Sequence, residues 1–282
     1  MKHRTKFTFI LIVILVVGSL AHASPIYVVH GGGNVGAAQG GVIGVIDSNT
    51  YAYTPLTSSL GSLTGLVYDG TALYTYEANS DSFLQVDPIT GNVLSAVARS
   101  GGADLTDLAI LLPGGNAPVF GVDINYDLFA IDLNTGSMTQ IGTLPHSVGG
   151  FQSIAIDPNQ GEFYAHNANS PGQFYTISLT DGSILTTVQG GVPGGTLGLG
   201  YLPMTRLLIA SECCDSPDGS LGERLFSINP TTGVATLLVD FNDGRRMQDF
   251  AIPGMFVVPE PSTMLLFTAG LSLICAVRFR GQ

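Results

Sequence analysis

A short apolar strand followed by a polar turn recurs five times along this chain of 282 residues. The copies are Val45-Ile46-Asp47-Ser48-Asn49-Thr50, Val86-Asp87-Pro88-Ile89-Thr90-Gly91, Ile131-Asp132-Leu133-Asn134-Thr135-Gly136, Ile177-Ser178-Leu179-Thr180-Asp181-Gly182 and Ile228-Asn229-Pro230-Thr231-Thr232-Gly233. From Asp47 the steps to Asp87, Asp132, Ser178 and Asn229 are 40, 45, 46 and 51 residues. A second series falls between them: Leu63-Thr64-Gly65-Leu66-Val67-Tyr68-Asp69, Leu105-Thr106-Asp107-Leu108-Ala109-Ile110, Phe151-Gln152-Ser153-Ile154-Ala155-Ile156-Asp157, Leu197-Gly198-Leu199-Gly200-Tyr201 and Met247-Gln248-Asp249-Phe250-Ala251-Ile252-Pro253. A fixed period of this length marks units that cannot bury their own apolar faces and must stack on neighbours.

Each period also holds an aromatic strand, such as Ala72-Leu73-Tyr74-Thr75-Tyr76 or Glu162-Phe163-Tyr164-Ala165-His166. Short strands separated by Gly, Asn, Asp and Pro turns predict an all-β chain, and the period fits four-stranded propeller blades. The expected fold is a β-propeller of about five blades over residues 24–254. It resembles sensor-like and quinoprotein-like propellers in general pattern, without a WD dipeptide signature. The mature N-terminus supplies Ile26-Tyr27-Val28-Val29, Val42–Asp47 and Tyr51-Ala52-Tyr53 but no inner strand, whereas Met247–Pro253 is an inner strand without a blade. Pairing the two completes a blade from both chain ends and removes the open sheet edges.

The mean hydropathy of +0.36 sits oddly with this soluble pattern until the two ends are set aside. Residues 1–23 open with Lys2, Arg4 and Lys6, run apolar from Phe7 to Val17 and finish Ala21-His22-Ala23 before Ser24. That is the plan of a signal peptide cut by signal peptidase between Ala23 and Ser24. Residues 255–263 form a linker, and 264–282 an apolar stretch with a basic end. Met264 to Val277 makes about 21 Å of helix, short of a hydrocarbon core of about 30 Å. Arg278 and Arg280 should stay cytoplasmic, which puts everything before them on the far side of the membrane. Between Ser24 and Val258 there are five arginines, no lysine and 20 acids, a formal charge of −15. Such a surface excludes nucleic acid, which is bound by clustered cations.

Val258-Pro259-Glu260-Pro261-Ser262-Thr263, followed by an apolar helix and an arginine tail, resembles the PEP-CTERM sorting signal. The resemblance covers about 25 residues and implies recognition by a membrane-embedded exosortase, removal of the tail and passage to the cell surface or exopolysaccharide matrix. The basic end is sparser than is common, with two arginines spaced by Phe279. Pro259 and Pro261 fix φ and disfavour helix before them, so the motif itself is expected to be an extended, accessible spacer.

Other motifs are weaker. Gly31-Gly32-Gly33-Asn34-Val35-Gly36 satisfies the dinucleotide fingerprint but has no room for the following helix, and reads as a glycine hairpin. Cys213 and Cys214 can form a vicinal disulfide after export or remain as thiols, or Cys213 can join Glu212, Asp215 and Asp218 in a metal loop whose spacing matches no common pattern. Cys275 lies in the tail. His30, His146 and His166 read as solvated or hydrogen-bonded side chains. No cofactor motif is recognised. Two functions fit: a non-catalytic surface or matrix propeller that binds an exopolysaccharide or envelope protein, or a secreted hydrolase or lactonase with a metal-dependent site. The second needs acids converging on the central channel, and Asp69, Asp107, Asp157 and Asp249 recur near the inner strands. Turn formation at strand ends is the blander role for them.

Overall fold

The structure, a computed structural model, describes residues 25–31, 41–102, 104–111, 118–144, 151–157, 161–167, 173–190, 195–202, 205–213, 224–241 and 246–253. The expected signal peptide with Ala21, Ala23 and Ser24, the linker, the Pro-Glu-Pro motif and the apolar tail lie outside them, as do His146, Cys214, Asp215 and Asp218.

Twenty strands in the described residues form five antiparallel sheets of four. The first sheet contains β1 (Pro25–Gly31), β2 (Val42–Asp47) and β3 (Tyr53–Pro55). The second runs β4 (Leu63–Tyr68), β5 (Leu73–Glu77), β6 (Ser82–Val86), β7 (Val93–Ala98). The third is β8 (Leu105–Ile110), β9 (Val119–Asp123), β10 (Asp127–Asp132), β11 (Ser137–Thr143). The fourth is β12 (Phe151–Asp157), β13 (Glu162–Asn167), β14 (Gln173–Ile177), β15 (Ile184–Gln189). The fifth is β16 (Gly195–Leu202), β17 (Leu207–Cys213), β18 (Arg224–Ile228), β19 (Ala235–Asp240). The last strand, β20 (Arg246–Ala251), returns to the first sheet, which is ordered β20-β1-β2-β3.

This is a five-bladed β-propeller. The inner strands β4, β8, β12, β16 and β20 are the second sequence series, and each packs against the next around a closed ring. Inner strands are covered on both faces and read as near-continuous apolar runs, while an outermost strand such as β7 is mostly exposed. Five apolar clusters fill the five interfaces between blades. At the closing interface Ile26, Val28, Ile46, Met247 and Phe250 of the first blade meet Ile209 and Leu225 of the fifth. The pairing of the two chain ends is as the sequence predicts: Tyr27 stands opposite Ala251 and Val29 opposite Asp249.

The polar turns of the first series lie on one face, between the third and fourth strands of each blade. Asp87 Oδ1 accepts the N–H groups of Ile89 and Thr90 at 2.8 Å, and Asn229 Oδ1 those of Thr231 and Thr232 at 2.9 and 3.1 Å. These are the local side-chain-to-backbone bonds that favour Asp and Asn in turns. The turn glycine also serves blade packing. Gly136 has φ +70°, and a Cβ there would lie 2.0 Å from the Ala98 carbonyl oxygen of the preceding blade. Tyr51 occupies the equivalent place at the closing interface, with φ 56°, and its ring packs against the cluster formed there.

Candidate functional site: the central channel

Every inner strand carries a β-bulge near its start, where two residues oppose one. Bulges re-aim side chains, and here they bring to one level of the ring Gly65, Asp107, Ser153 and Asp249, each third in its repeat, and Gly198, second in the shorter Leu197–Tyr201 copy. Opposite Asp107, Ser153, Gly198 and Asp249 on the second strands stand Val122, His166, Ser211 and Val29, whereas Gly65 is itself the bulged residue, between Thr64 opposite Tyr76 and Leu66 opposite Thr75.

Asp107 and Asp249 are fully buried. Each carboxylate joins its own strand to the next blade. Asp107 Oδ1 accepts the Leu108 N–H at 2.7 Å and Oδ2 the Ile154 N–H of the fourth blade at 2.6 Å. Asp249 Oδ1 accepts the Phe250 N–H at 2.7 Å, and Oδ2 accepts that of Leu66 in the second blade. The strand between them presents Gly65, whose φ is +67° and whose absent Cβ would fall 2.6 Å from the Leu108 nitrogen. With no side chain there, the two carboxyls meet and hydrogen-bond each other. Burial pushes both groups above the ordinary carboxylate range, Asp107 to about 7 and Asp249 well up, with the Asp107 charge and hydrogen bond raising Asp249 further. Two carboxyls in contact away from water retain a proton that free carboxyls have lost at neutral pH.

The native pair retains a proton that the unfolded chain releases near pH 4, so stability is lost as pH rises from about 4 through about 7. Asp47, Asp87, Asp132 and Asp181 are held below the ordinary range by their turn hydrogen bonds and act oppositely, losing stability as pH falls toward and below 4. Denaturant midpoints should therefore fall between pH 5 and pH 8. Asp249→Asn should flatten that fall while lowering stability throughout, because its amide nitrogen faces a backbone N–H. A midpoint rising from pH 5 to 8 in the unsubstituted protein would contradict the shared proton.

Where the residue at this level is glycine, the second strand supplies a hydroxyl. Thr75 Oγ1 donates to the Gly65 carbonyl at 2.7 Å, while Ser211 Oγ accepts the Gly198 N–H at 2.9 Å and donates to the Met247 carbonyl at 2.7 Å. The fourth blade departs from this scheme. Ser153 Oγ and both nitrogens of His166 are buried with no hydrogen-bond partner. Burial lowers His166 to about 4, so its ring is neutral, and it lies against Phe174 at 4.5 Å between centroids. Ser211→Ala should cost about 1–2 kcal/mol by stranding two buried backbone groups, whereas Ser153→Ala should be neutral or stabilising by up to about 1 kcal/mol. Urea denaturation of the two variants makes the comparison.

Past the carboxyl pair the channel is lined by Leu66, Leu108, Ile154, Leu199 and Phe250 and the residues after them, Tyr68 and Tyr201 among these. Its cavity of about 70 Å³ has room for a few waters and is far below the roughly 300–1,000 Å³ of small-molecule sites.

Of the four acids that the hydrolase reading needs at the channel, two converge, Asp107 and Asp249. Asp69 and Asp157 are seventh in the repeat and lie at the opposite end of the inner strands. Asp69 accepts the N–H groups of Thr71 and Ala72, and Asp157 accepts the Tyr201 hydroxyl at 2.6 Å. Among the described residues no three His, Cys, Asp or Glu side chains come together as metal ligands. Glu212 is buried and paired with Arg224 at 2.5 Å. The side chains of Cys213 and Cys214 lie outside the described residues. The expectation of a solvated or hydrogen-bonded His166 is overturned by its complete burial and by the lack of a hydrogen-bond partner for either ring nitrogen. Gly31 ends β1, which pairs antiparallel with β2; a dinucleotide unit needs a parallel crossover there.

Residues 257–280 match the PEP-CTERM protein-sorting motif. The motif implies an exported protein processed by an exosortase. No curated protein matches the chain. Among solved structures, one from a nidogen/laminin complex superposes with a TM-score of 0.55 at 12% identity, over 81% of this chain and 98% of that one. This likeness shows the fold alone. The hydrazine synthase of Kuenenia stuttgartiensis gives 0.45 at 14% identity, over 66% of this chain and 51% of that one. The β-propeller domain of Myceliophteria thermophila Cps50 (Swd1) gives 0.44 at 14%, over 72% and 68%.

Proposed function

We propose that the chain is delivered by signal peptidase and exosortase to the cell surface or extracellular matrix, and that its propeller binds there rather than catalyses. The sorting motif at residues 257–280 carries the delivery. The binding role is supported by the commitment of the two converging carboxyls: each oxygen of Asp107 and Asp249 already takes a backbone N–H. A carboxylate engaged in this way holds blades together and is poorly placed to bind a cation or activate water. The partner fitting this delivery is an exopolysaccharide or another envelope protein, contacted through loops at the rim.

The released protein, purified from culture, should co-sediment with exopolysaccharide from the same cells and leave ester and lactone substrates unchanged with or without Ca²⁺. Calcium-dependent turnover abolished by Asp107→Asn would overturn this reading in favour of a metal-dependent hydrolase.

A further inference from the structure

Both ends of the propeller leave the ring on one face. The register of β1 against β20 runs from Tyr27 opposite Ala251 to Gly31 opposite Arg246, so Pro25 and Ile252 emerge side by side at the same end of adjacent strands. That end carries the turns of Asp47, Asp87, Asp132, Asp181 and Asn229. The other end carries the hairpin joining β9 to β10 and the strand ends from which segments 32–40, 145–150, 168–172, 191–194, 214–223 and 242–245 depart.

We propose that the unprocessed chain, while its tail is in the membrane, is held with the face of these aspartate turns toward the bilayer and the opposite face outward. The proposal rests on the sorting reading above. Ten residues, 254–263, separate Pro253 from the apolar stretch, and they reach at most about 35 Å however they are arranged. A domain of this size has a radius of gyration of about 17 Å and is about 45 Å across. Since β20 is an inner strand, the tail leaves near the ring axis. To bring the opposite face onto lipid, it would have to run about 20 Å out to the rim, a further 20 Å or so along the height of a blade, and back beneath the domain. That path exceeds its reach.

Charge decides whether this face also adsorbs. The hydrogen bonds that lower Asp47, Asp87, Asp132 and Asp181 keep them ionised, and Arg206 is the only arginine on that side among the described residues. An anionic leaflet repels such a face. The tail is therefore the whole attachment, and contact with an outside partner falls to the opposite face for as long as the precursor stays anchored.

The two ends of β10 provide the test. Asn134→Cys lies on the turn face and Asn125→Cys on the other, each placed in the unprocessed-tail chain Ser24–Gln282, without the signal peptide, with Cys213, Cys214 and Cys275 changed to Ser. Each is labelled with a donor dye and inserted from outside into phosphatidylethanolamine–phosphatidylglycerol vesicles bearing an acceptor on the headgroup. Energy transfer should be several-fold stronger from position 134 than from 125. Equal or reversed transfer in vesicle-bound protein overturns the orientation alone. Protein that fails to float with the vesicles overturns the membrane reading of the tail, and the orientation with it.

Discussion

Removing Met247–Pro253 should leave no folded monomer. The deletion strips β20 from the first blade and exposes the hydrogen-bonding edge of β1, which invites pairing with other chains. It withdraws the buried side chains of Met247, Phe250 and Ala251 from the ring, and at about 1.5–3 kcal/mol for each of the two larger ones the loss alone is comparable with the lower end of a domain's stability of about 5–15 kcal/mol. It also removes the Asp249 carboxyl that joins the first and second blades through the Leu66 N–H. Size-exclusion chromatography should show aggregates, and the thermal transition should disappear. Restoring the strand by permutation should rescue folding: Pro253 joined by a short linker to Pro25, with new ends opened between Thr57 and Leu63, needs no new geometry because the two ends already emerge together. A truncated protein that stays monomeric with unchanged melting would show that the ring does not depend on its closing strand.

The ring was readable because two constraints leave a mark at fixed spacing. Inner strands must be apolar on both faces, and each hairpin turn needs Asp, Asn or Ser to hold its own backbone and, in four blades, glycine to clear the preceding blade. The odd number of elements at the two ends, strands without an inner partner and an inner strand without a blade, is enough to pair β20 with β1. The site was less legible. Asp69 and Asp107 both sit in inner-strand repeats, yet one holds a turn and the other meets Asp249. Their positions differ: Asp107 and Asp249 are third in the repeat, Asp69 and Asp157 seventh. That offset is visible once the five copies are set in register, but the bulge that turns the third residue inward has no residue signature of its own. Nothing in the sequence around Ser153 and His166 distinguishes them from hydrogen-bonded polar residues, because their isolation depends on which atoms of neighbouring strands are already taken.

The second large effect concerns delivery. Glu260→Ala, or Pro259→Ala with Pro261→Ala, should block recognition by the exosortase and hold the precursor in the inner membrane, lowering the released form more than tenfold at an activation difference of only about 1.4 kcal/mol. The propeller should fold unchanged, since residues 257–280 lie beyond the last strand at Ala251. An antibody to the propeller, applied to membrane and extracellular fractions, follows the shift; wild-type amounts of shortened variant outside the cell would show that these residues do not direct sorting.

The intact mass of the released protein tests exosortase-dependent export most directly. The mature chain should begin at Ser24 and lack Met264–Gln282, with its new C-terminus in or beside Val258–Thr263. A released protein that begins at Met1, or that still carries the apolar stretch and Arg278 and Arg280, would contradict it.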